Sequence, residues 1–544
     1  MTFNLIHRSL TVAAQPSVYP TLGLDRFVEV PRIVHLHVAH PRWSVQAVRS
    51  VTIKRMYVVM ITPECAPVAK VGGLGDVVQG LSYEESIRGN SVEVILPKYD
   101  CMRYDRIFGL TKTCESFWVP FHDQWIQCDA YFGFVEGLKC FFIEPHSHHN
   151  FFNRGIFYGH RDDPERFAFF SRAALEFMLK TGKHPDIIHC HDWQTGIVPL
   201  LLFEFYKFRG MTHPRVCYTL HNVGHQGLTG EHILRQVGLN PALFMRPERA
   251  LDDYTPGTVN LMKTGIVFSN FVTTVSPRYA HEIRTTTLGH GLQRILNVHG
   301  AKFGGVLNGI DYTAWNPEID PSIPFHYSAD ALDNKYRNKE ALRHRLLLRQ
   351  DFKPIIAAVG RLDRQKGIEL VRHAIFYALT HGCQFVLLGS SPDARINHEF
   401  WQLKHQLNDH PDCHLELAYN EELSHLIYAG SDMIVIPSIY EPCGLTQMIG
   451  MKYGTVPIVR NTGGLADTVF DADYAPKPYH ERNGFVFNDY GYTGIESALN
   501  RAVYMWYQQP QYFRELAVNG MRTDYSWNRP GSDYLNIYDY IREK

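Results

Sequence analysis

With 544 residues and 45% hydrophobic content, the chain can bury a large core and exceeds what one core ordinarily supports, so two domains are expected. A net charge of −1 excludes a global basic field for nucleic acid, and no block of like charges marks a disordered interaction tail. Ten scattered cysteines without a CxxC pair or zinc-ligand spacing fit free thiols in a reducing compartment. The longest apolar stretch, around Val198 to Phe205, is far too short to span a membrane.

Residues 1–55 carry seven Lys/Arg and two Asp/Glu without a helical or strand period. They read as a disordered or mis-set start, or as a transit peptide; the protein is expected in the cytoplasm, or in a plastid if the second reading holds. The first strand is Tyr57 to Ile61, followed by a loop and then Lys70-Val71-Gly72-Gly73-Leu74-Gly75-Asp76 leading into a helix. Such a turn can bind phosphate through backbone N–H groups and the ammonium, although on its own it is often only a tight turn. Strands are then predicted at Val92–Leu96, Ile187–Cys190, Val216–Leu220 and Phe271–Val275, alternating with helix-compatible sequence as in a parallel sheet with crossover helices. Polar residues gather where these strands end, which is where open α/β sheets bind ligands: His189, His191 and Asp192, then His221 and Asn222, then Ser276. A zinc reading of His189 with His191 is not favoured: their spacing is expected to point the rings apart, and no third ligand is evident. Asp192 reads either as a cleft residue or as a helix N-cap before Trp193.

Between Val306 and about Phe352, three prolines and a basic helix from about Asn334 to Arg349 suggest an interdomain hinge. The strand Ile355–Val359 then runs into Gly360-Arg361-Leu362-Asp363-Arg364-Gln365-Lys366-Gly367, where Arg361 and Lys366 could meet a diphosphate with fork and point-charge contacts. Further strands are expected at Phe385–Leu388 and Met433–Ile436. Past the second of these, Pro437 to Val469 presents Glu441 at a strand end, ahead of a helix beginning near Leu445. A second apolar run, Val456–Val459, meets Thr462-Gly463-Gly464, whose amides are expected to cradle an anion. An acid beside an anion cradle suits transfer of a group carried on a phosphate. The tail is helix-compatible at Leu535 to Arg542.

The blocks Lys70–Val77, His189–Gln194, Thr219–Asn222, Arg361–Lys366, Glu441-Pro442-Cys443-Gly444-Leu445-Thr446-Gln447 and Thr462–Asp467 resemble the bacterial glycogen synthase and plant starch synthase family. His225, where a tyrosine is usual, makes the chain look closer to a second cyanobacterial type related to plant isoforms three and four. The resemblance implies an α/β, GT-B protein: two Rossmann-like domains with parallel sheets facing across a deep cleft. It places the first domain at 56–307, the second at 308–525, and a C-terminal segment, 526–544, crossing back to the first. It also implies retaining transfer of glucose from ADP-glucose to an α-1,4-glucan, with no cofactor, metal, nucleic acid or membrane partner. His221 would lie beside the reacting sugar, Glu441 would hold it, and Asp192 would line the glucan cleft. Lys70, Arg361, Lys366 and the Gly463 and Gly464 amides would serve the diphosphate, with Gly72, Gly73, Asn222, Asn308, Cys443, Gly444 and Thr462 completing the substrate site. Sucrose-type synthesis or phosphorolysis is the rival within this architecture, although a phosphorylase would need a longer chain and a pyridoxal-binding lysine. A noncatalytic glucan-binding protein built on a decayed synthase should have lost charged site residues, whereas Lys70, His221, Arg361, Lys366 and Glu441 are all present.

Overall fold

The computed structural model describes residues 55–407 and 409–544; the expectations for the N-terminal extension lie outside them except at Arg55. Two sheets organise the chain. The first is ten-stranded, ordered β12-β11-β8-β7-β1-β2-β6-β5-β3 with β4 on β5. Its strands are β1 (Tyr57–Ile61), β2 (Ser91–Pro97), β3 (Phe108–Lys112), β4 (Phe117–Phe121), β5 (Gln124–Val135), β6 (Leu138–His146), β7 (Ile187–His191), β8 (Arg215–Leu220), β11 (Phe271–Thr274) and β12 (Phe303–Gly305). The short β9 (Leu228–Gly230) and β10 (Thr258–Asn260) pair apart from it. The second sheet, ordered β15-β14-β13-β16-β17-β18, is built from β13 (Ile355–Val359), β14 (Gln384–Leu388), β15 (Cys413–Glu416), β16 (Met433–Ile436), β17 (Val456–Arg460) and β18 (Phe485–Phe487).

Central strands such as β1, β7 and β16 are buried along almost their whole length because helices cover both faces of the sheet, and in β7 that burial includes His189 and His191. The second sheet is parallel throughout. Contrary to the parallel sheet expected from the sequence, the first is mixed: β5 runs antiparallel to β3, β4 and β6. The cause is the tight turn at Glu136-Gly137, both at positive φ, which joins β5 to β6 directly. A two-residue connection permits only an antiparallel pair. On the outer edge Trp118 and Trp125 stand exposed while Phe117, Val119 and Ile126 point inward.

The stretch expected to act as a hinge is largely part of the second half. Val306 lies in the first core, whereas Leu307, Ile310, Ile323 and Tyr327 pack with Tyr428, Met448 and Tyr453. The helix Asp333–Arg345 sits on the second sheet, where the buried Lys335 ammonium donates to the carbonyls of Tyr428, Ala429 and Tyr453 and to the Thr455 hydroxyl. The last helix runs over Asn528–Arg542, starting seven residues before the stretch read from sequence. It returns Tyr534, Tyr538 and Ile541 to the first core, and burial of the Ile541 side chain alone contributes about 1.5–3 kcal/mol. All ten cysteines are free, and no helix among the described residues is long and apolar enough to cross a membrane.

Strand order reverses between β1 and β7 in the first sheet and between β13 and β16 in the second. The loops leaving the carboxyl ends of these strands therefore face a crevice on each side, and the polar motifs lie in those loops.

Candidate active site

A cleft of about 1500 Å³ lies between these loops. From the first half it is lined by Lys70, Gly72, Gly73, Asp192, His221 and Asn222, and from the second by Asn308, Arg361, Lys366, Glu441, Cys443 and Gly444. Thr462, Gly463 and Gly464 are absent from its wall and buried.

On the second side, Glu441 follows β16 and is buried. One carboxylate oxygen sits 2.6 Å from the Lys366 ammonium and accepts the Ser438 hydroxyl at 2.8 Å. The two loops are drawn together at Gly367, which holds φ +69° and packs so tightly on the Pro437 carbonyl that no Cβ would fit. The Asp363 side chain fixes the turn before it by accepting the Lys366 amide at 3.1 Å. Lys366 is therefore not a free cation awaiting a diphosphate; it is ion-paired with the acid proposed for the sugar. Arg361 is half exposed, its guanidinium 3.6 Å from the Asp363 carboxylate.

On the first side, Lys70 pairs with Asp76 at 2.8 Å. Burial pulls the Lys70 ammonium down, but Asp76, helped by Tyr419 and Glu421 reaching from the second half, overrides it and leaves the pKa above its ordinary value. The turn after Lys70 is tied from within: the buried Glu64 carboxylate accepts the Val71 and Gly72 amides at 2.7 and 3.1 Å and the Tyr158 hydroxyl at 2.8 Å. Burial raises the Glu64 pKa despite those bonds. The first two amides expected to meet phosphate are thus occupied by a protein carboxylate.

Asp192 sits at φ +53°. Its side chain does not cap the following turn; it accepts the His221 amide at 2.7 Å and reaches the Asn222 amide at 3.4 Å. The alternative N-cap role therefore falls away, and Asp192 fixes the backbone that carries His221. Burial pushes its carboxyl up to about 7 against those two bonds.

The expectation that His189 and His191 point apart is corrected. Residues i and i+2 of a strand share one face, and the two rings stack with centroids 4.3 Å apart. His191 Nδ1 lies 3.1 Å from His221 Nε2, while His189 Nδ1 meets the Tyr538 hydroxyl at 2.7 Å and its Nε2 the Thr219 hydroxyl at 2.6 Å. The stack is closed by hydroxyls of the first sheet and the last helix and offers no converging metal-ligand set. Burial holds all three imidazoles neutral, taking His221 and His189 down to about 3 and His191 well below its usual value. Among the described residues, acids and a histidine converge as metal ligands could only at Asp129, Glu144 and His146. These lie on β5 and β6, away from the cleft, where Lys112 and Lys98 already contact the carboxylates at 2.8 Å.

The anion cradle read into Thr462–Gly464 is also corrected. Gly463 donates its amide to the Glu282 carboxylate at 3.0 and 3.2 Å, and Gly464 donates to the Glu441 carbonyl at 3.0 Å. An acid from the other half of the molecule fills the place a phosphate was expected to take.

Asn222 spans the cleft, donating to Gln365 at 3.3 Å, and Asn308 lies against the buried Cys443 thiol, which burial pushes up to about 12. Sequence reasoning did not single out Glu64, Tyr419, Glu421 or Gln365. Glu64 could have been suspected from its place in the loop after β1; the other three acquire their role only when the second half faces the first.

Comparison with known proteins identifies the family. Residues 57–298 match the model for the starch synthase catalytic domain, and residues 339–517 that for glycosyl transferases group 1. Glycogen synthase 1 of Nitrosococcus oceani is 70% identical over 488 residues, covering 90% of this chain and all of the relative. A probable glycogen synthase 2 of a Nostoc species is 59% identical over 491 residues, with the same coverage, in keeping with the expected likeness to a cyanobacterial type. The catalytic domain of starch synthase IV from Arabidopsis thaliana, solved with ADP and acarbose, superposes with a TM-score of 0.88 at 46% identity, covering 90% of this chain and 100% of that one. The chain belongs to the glycogen and starch synthase family, glycosyltransferases of GT-B architecture.

Proposed function

We propose that the cleft transfers a glucosyl unit from ADP-glucose to the nonreducing end of an α-1,4-glucan with retention at the anomeric carbon. The observation that carries this reading is the placement of Arg361, Lys366 and Glu441 on one wall, with Lys70 and His221 on the other. The Arabidopsis relative bound to ADP and acarbose supports an adenine nucleotide donor and a glucan acceptor.

Cleaving the bond between glucosyl C1 and the phosphate oxygen develops negative charge on ADP and positive charge on the sugar, so preorganised opposite charges supply most of the stabilisation. Arg361 is poised for the diphosphate. Lys366 is shared: as the phosphate oxygen gains charge, its ammonium serves both that oxygen and Glu441, whose carboxylate faces the cationic sugar. Lys70 closes the opposite side once it turns from Asp76. Asp192 holds the His221 backbone against the reacting face. The acceptor hydroxyl attacks C1 from the side the phosphate leaves and gives its proton to the departing phosphate oxygen. One C–O bond forms as one breaks, and no covalent glycosyl-enzyme or second carboxylate is required. These cations carry the diphosphate in our reading, and no cofactor or metal is assigned a step.

The test is a panel of sugar nucleotides with glycogen as acceptor, following nucleoside diphosphate release with and without EDTA. ADP-glucose should be the preferred donor, the new linkage α, and EDTA without effect. Preference for UDP-glucose would overturn the donor, a β-linked product the retention, and EDTA inhibition reversed by a divalent ion the metal-free chemistry.

A further inference from the structure

Two carboxylates cross between the halves at one place beside the cleft. Glu282 lies midway along the helix Pro277–Thr285, which follows β11, and is buried. It accepts the Gly463 amide at 3.0 and 3.2 Å and the Thr462 hydroxyl at 3.2 Å. In the opposite direction, Asp467 of the second half accepts the Arg278 amide at 2.8 Å, in the first turn of the Glu282 helix. Each of two facing helix starts is therefore closed by an acid from the other half, where the backbone's partial positive charge favours it. The Arg278 guanidinium, 3.0 Å from Glu282, keeps that buried charge paired.

From Gly463 the path continues into the site. Gly464 donates to the Glu441 carbonyl at 3.0 Å. Gly463 is at φ +46° and so close that a Cβ would fall on the same carbonyl oxygen, and a Cβ on Gly464 would fall on that of Cys443. The peptide carrying Glu441 is clamped by the turn, and the turn is clamped by Glu282. Glu282 does not line the cleft, so its link to Glu441 runs through the turn.

We propose that Glu282 is a positioning residue for Glu441, acting across the two halves through the Thr462–Gly464 turn. Without it, the Gly463 amide and the Thr462 hydroxyl lose their acceptor in a buried place, the turn relaxes, and the Glu441 carboxylate shifts relative to the glucosyl carbon. A displacement of about 1 Å at a reacting group can cost about 10²-fold in rate. Diphosphate binding should be spared, because Arg361 and Lys366 are carried by the loop after β13. This inference rests on the glucosyl-transfer reading; turnover of the unaltered protein tests that reading, while ratios between variants test the inference.

The experiment compares Glu282→Ala, Glu282→Asp and Glu282→Gln in the full chain, measuring kcat, KM for ADP-glucose, ADP dissociation constant and thermal unfolding. Gln keeps an oxygen for the Gly463 amide and should restore kcat to within about threefold of the unaltered protein. Asp keeps the charge but draws the turn back by one methylene and should lose about tenfold; Ala should lose about a hundredfold. ADP affinity should stay within about twofold throughout. If Ala does not fold, the contrast between Asp and Gln decides. Retention of kcat in Asp and Ala while stability falls would make Glu282 a fastening between halves and overturn the proposal, as would a loss of ADP affinity in step with kcat.

Discussion

At Gly72 an added Cβ would meet nothing within 4 Å, and the residue borders the cleft, whereas at Gly463 and Gly464 it would fall on the carbonyl oxygens of Glu441 and Cys443. Both turns follow an apolar strand, both lead into a helix, and in both a carboxylate of the protein takes backbone amides. The carboxylate differs in origin. Glu64 lies eight residues before Gly72 and stiffens a turn that borders the cleft; Glu282 lies 181 residues before Gly463 and fastens a turn that faces the protein. A glycine-rich turn thus signals that something approaches the backbone closely, and tertiary context decides whether that is a ligand or the chain itself.

Breaking the packed turn should have the largest effect. Gly463→Ala adds a side chain at positive φ and drives it onto the Glu441 carbonyl, so kcat should fall by more than about 10²-fold and stability by about 1–3 kcal/mol from backbone strain alone. Initial rates and thermal unfolding check this; near-normal turnover would return the turn to the status of an ordinary loop. Removing the cations comes next. Lys366→Ala and Arg361→Ala should each lower kcat by about 10², with Lys366 the more damaging because its loss leaves the Glu441 carboxylate buried without its ion pair. If both act on one diphosphate, the double change should not equal the sum of the singles in free energy; strict additivity would place them on separate groups. The smallest effect is expected at the open turn: Gly72→Ala, in extended backbone at φ −147° with free space around it, should change kcat/KM by less than about threefold. A large loss there would show that the amide face of Gly72, not only its neighbour Lys70, is used.

Much of the site was legible because strand ends reveal themselves. Short apolar runs stop at polar clusters, and β1, β7, β8, β13 and β16 deliver Lys70, Asp192, His221, Arg361 and Glu441 to one cleft. The antiparallel edge from Phe108 to His146 is poorly marked in the sequence: Phe117–Phe121 is apolar throughout although its burial alternates, and only Glu136-Gly137, the turn that closes a hairpin, signals it. The histidine stack follows from strand geometry, in which i and i+2 share a face. Glu282, Tyr419, Glu421 and Gln365 could not be found from spacing, because each acts on a residue of the other half, where local periodicity carries no information.

The most direct test of the site is to separate catalysis from nucleotide binding at Glu441. With Glu441→Gln and Glu441→Ala, kcat for ADP-glucose and glycogen and the dissociation constant of ADP are measured on the same preparations, alongside unfolding temperature. If Glu441 faces the reacting sugar, kcat falls by about 10²-fold or more, as for other groups set against developing charge. The ADP dissociation constant should then stay level or drop slightly, because Lys366 is released to the diphosphate. Turnover close to that of the unaltered protein, or ADP affinity lost in proportion to kcat, would contradict the placement of Glu441 at the sugar.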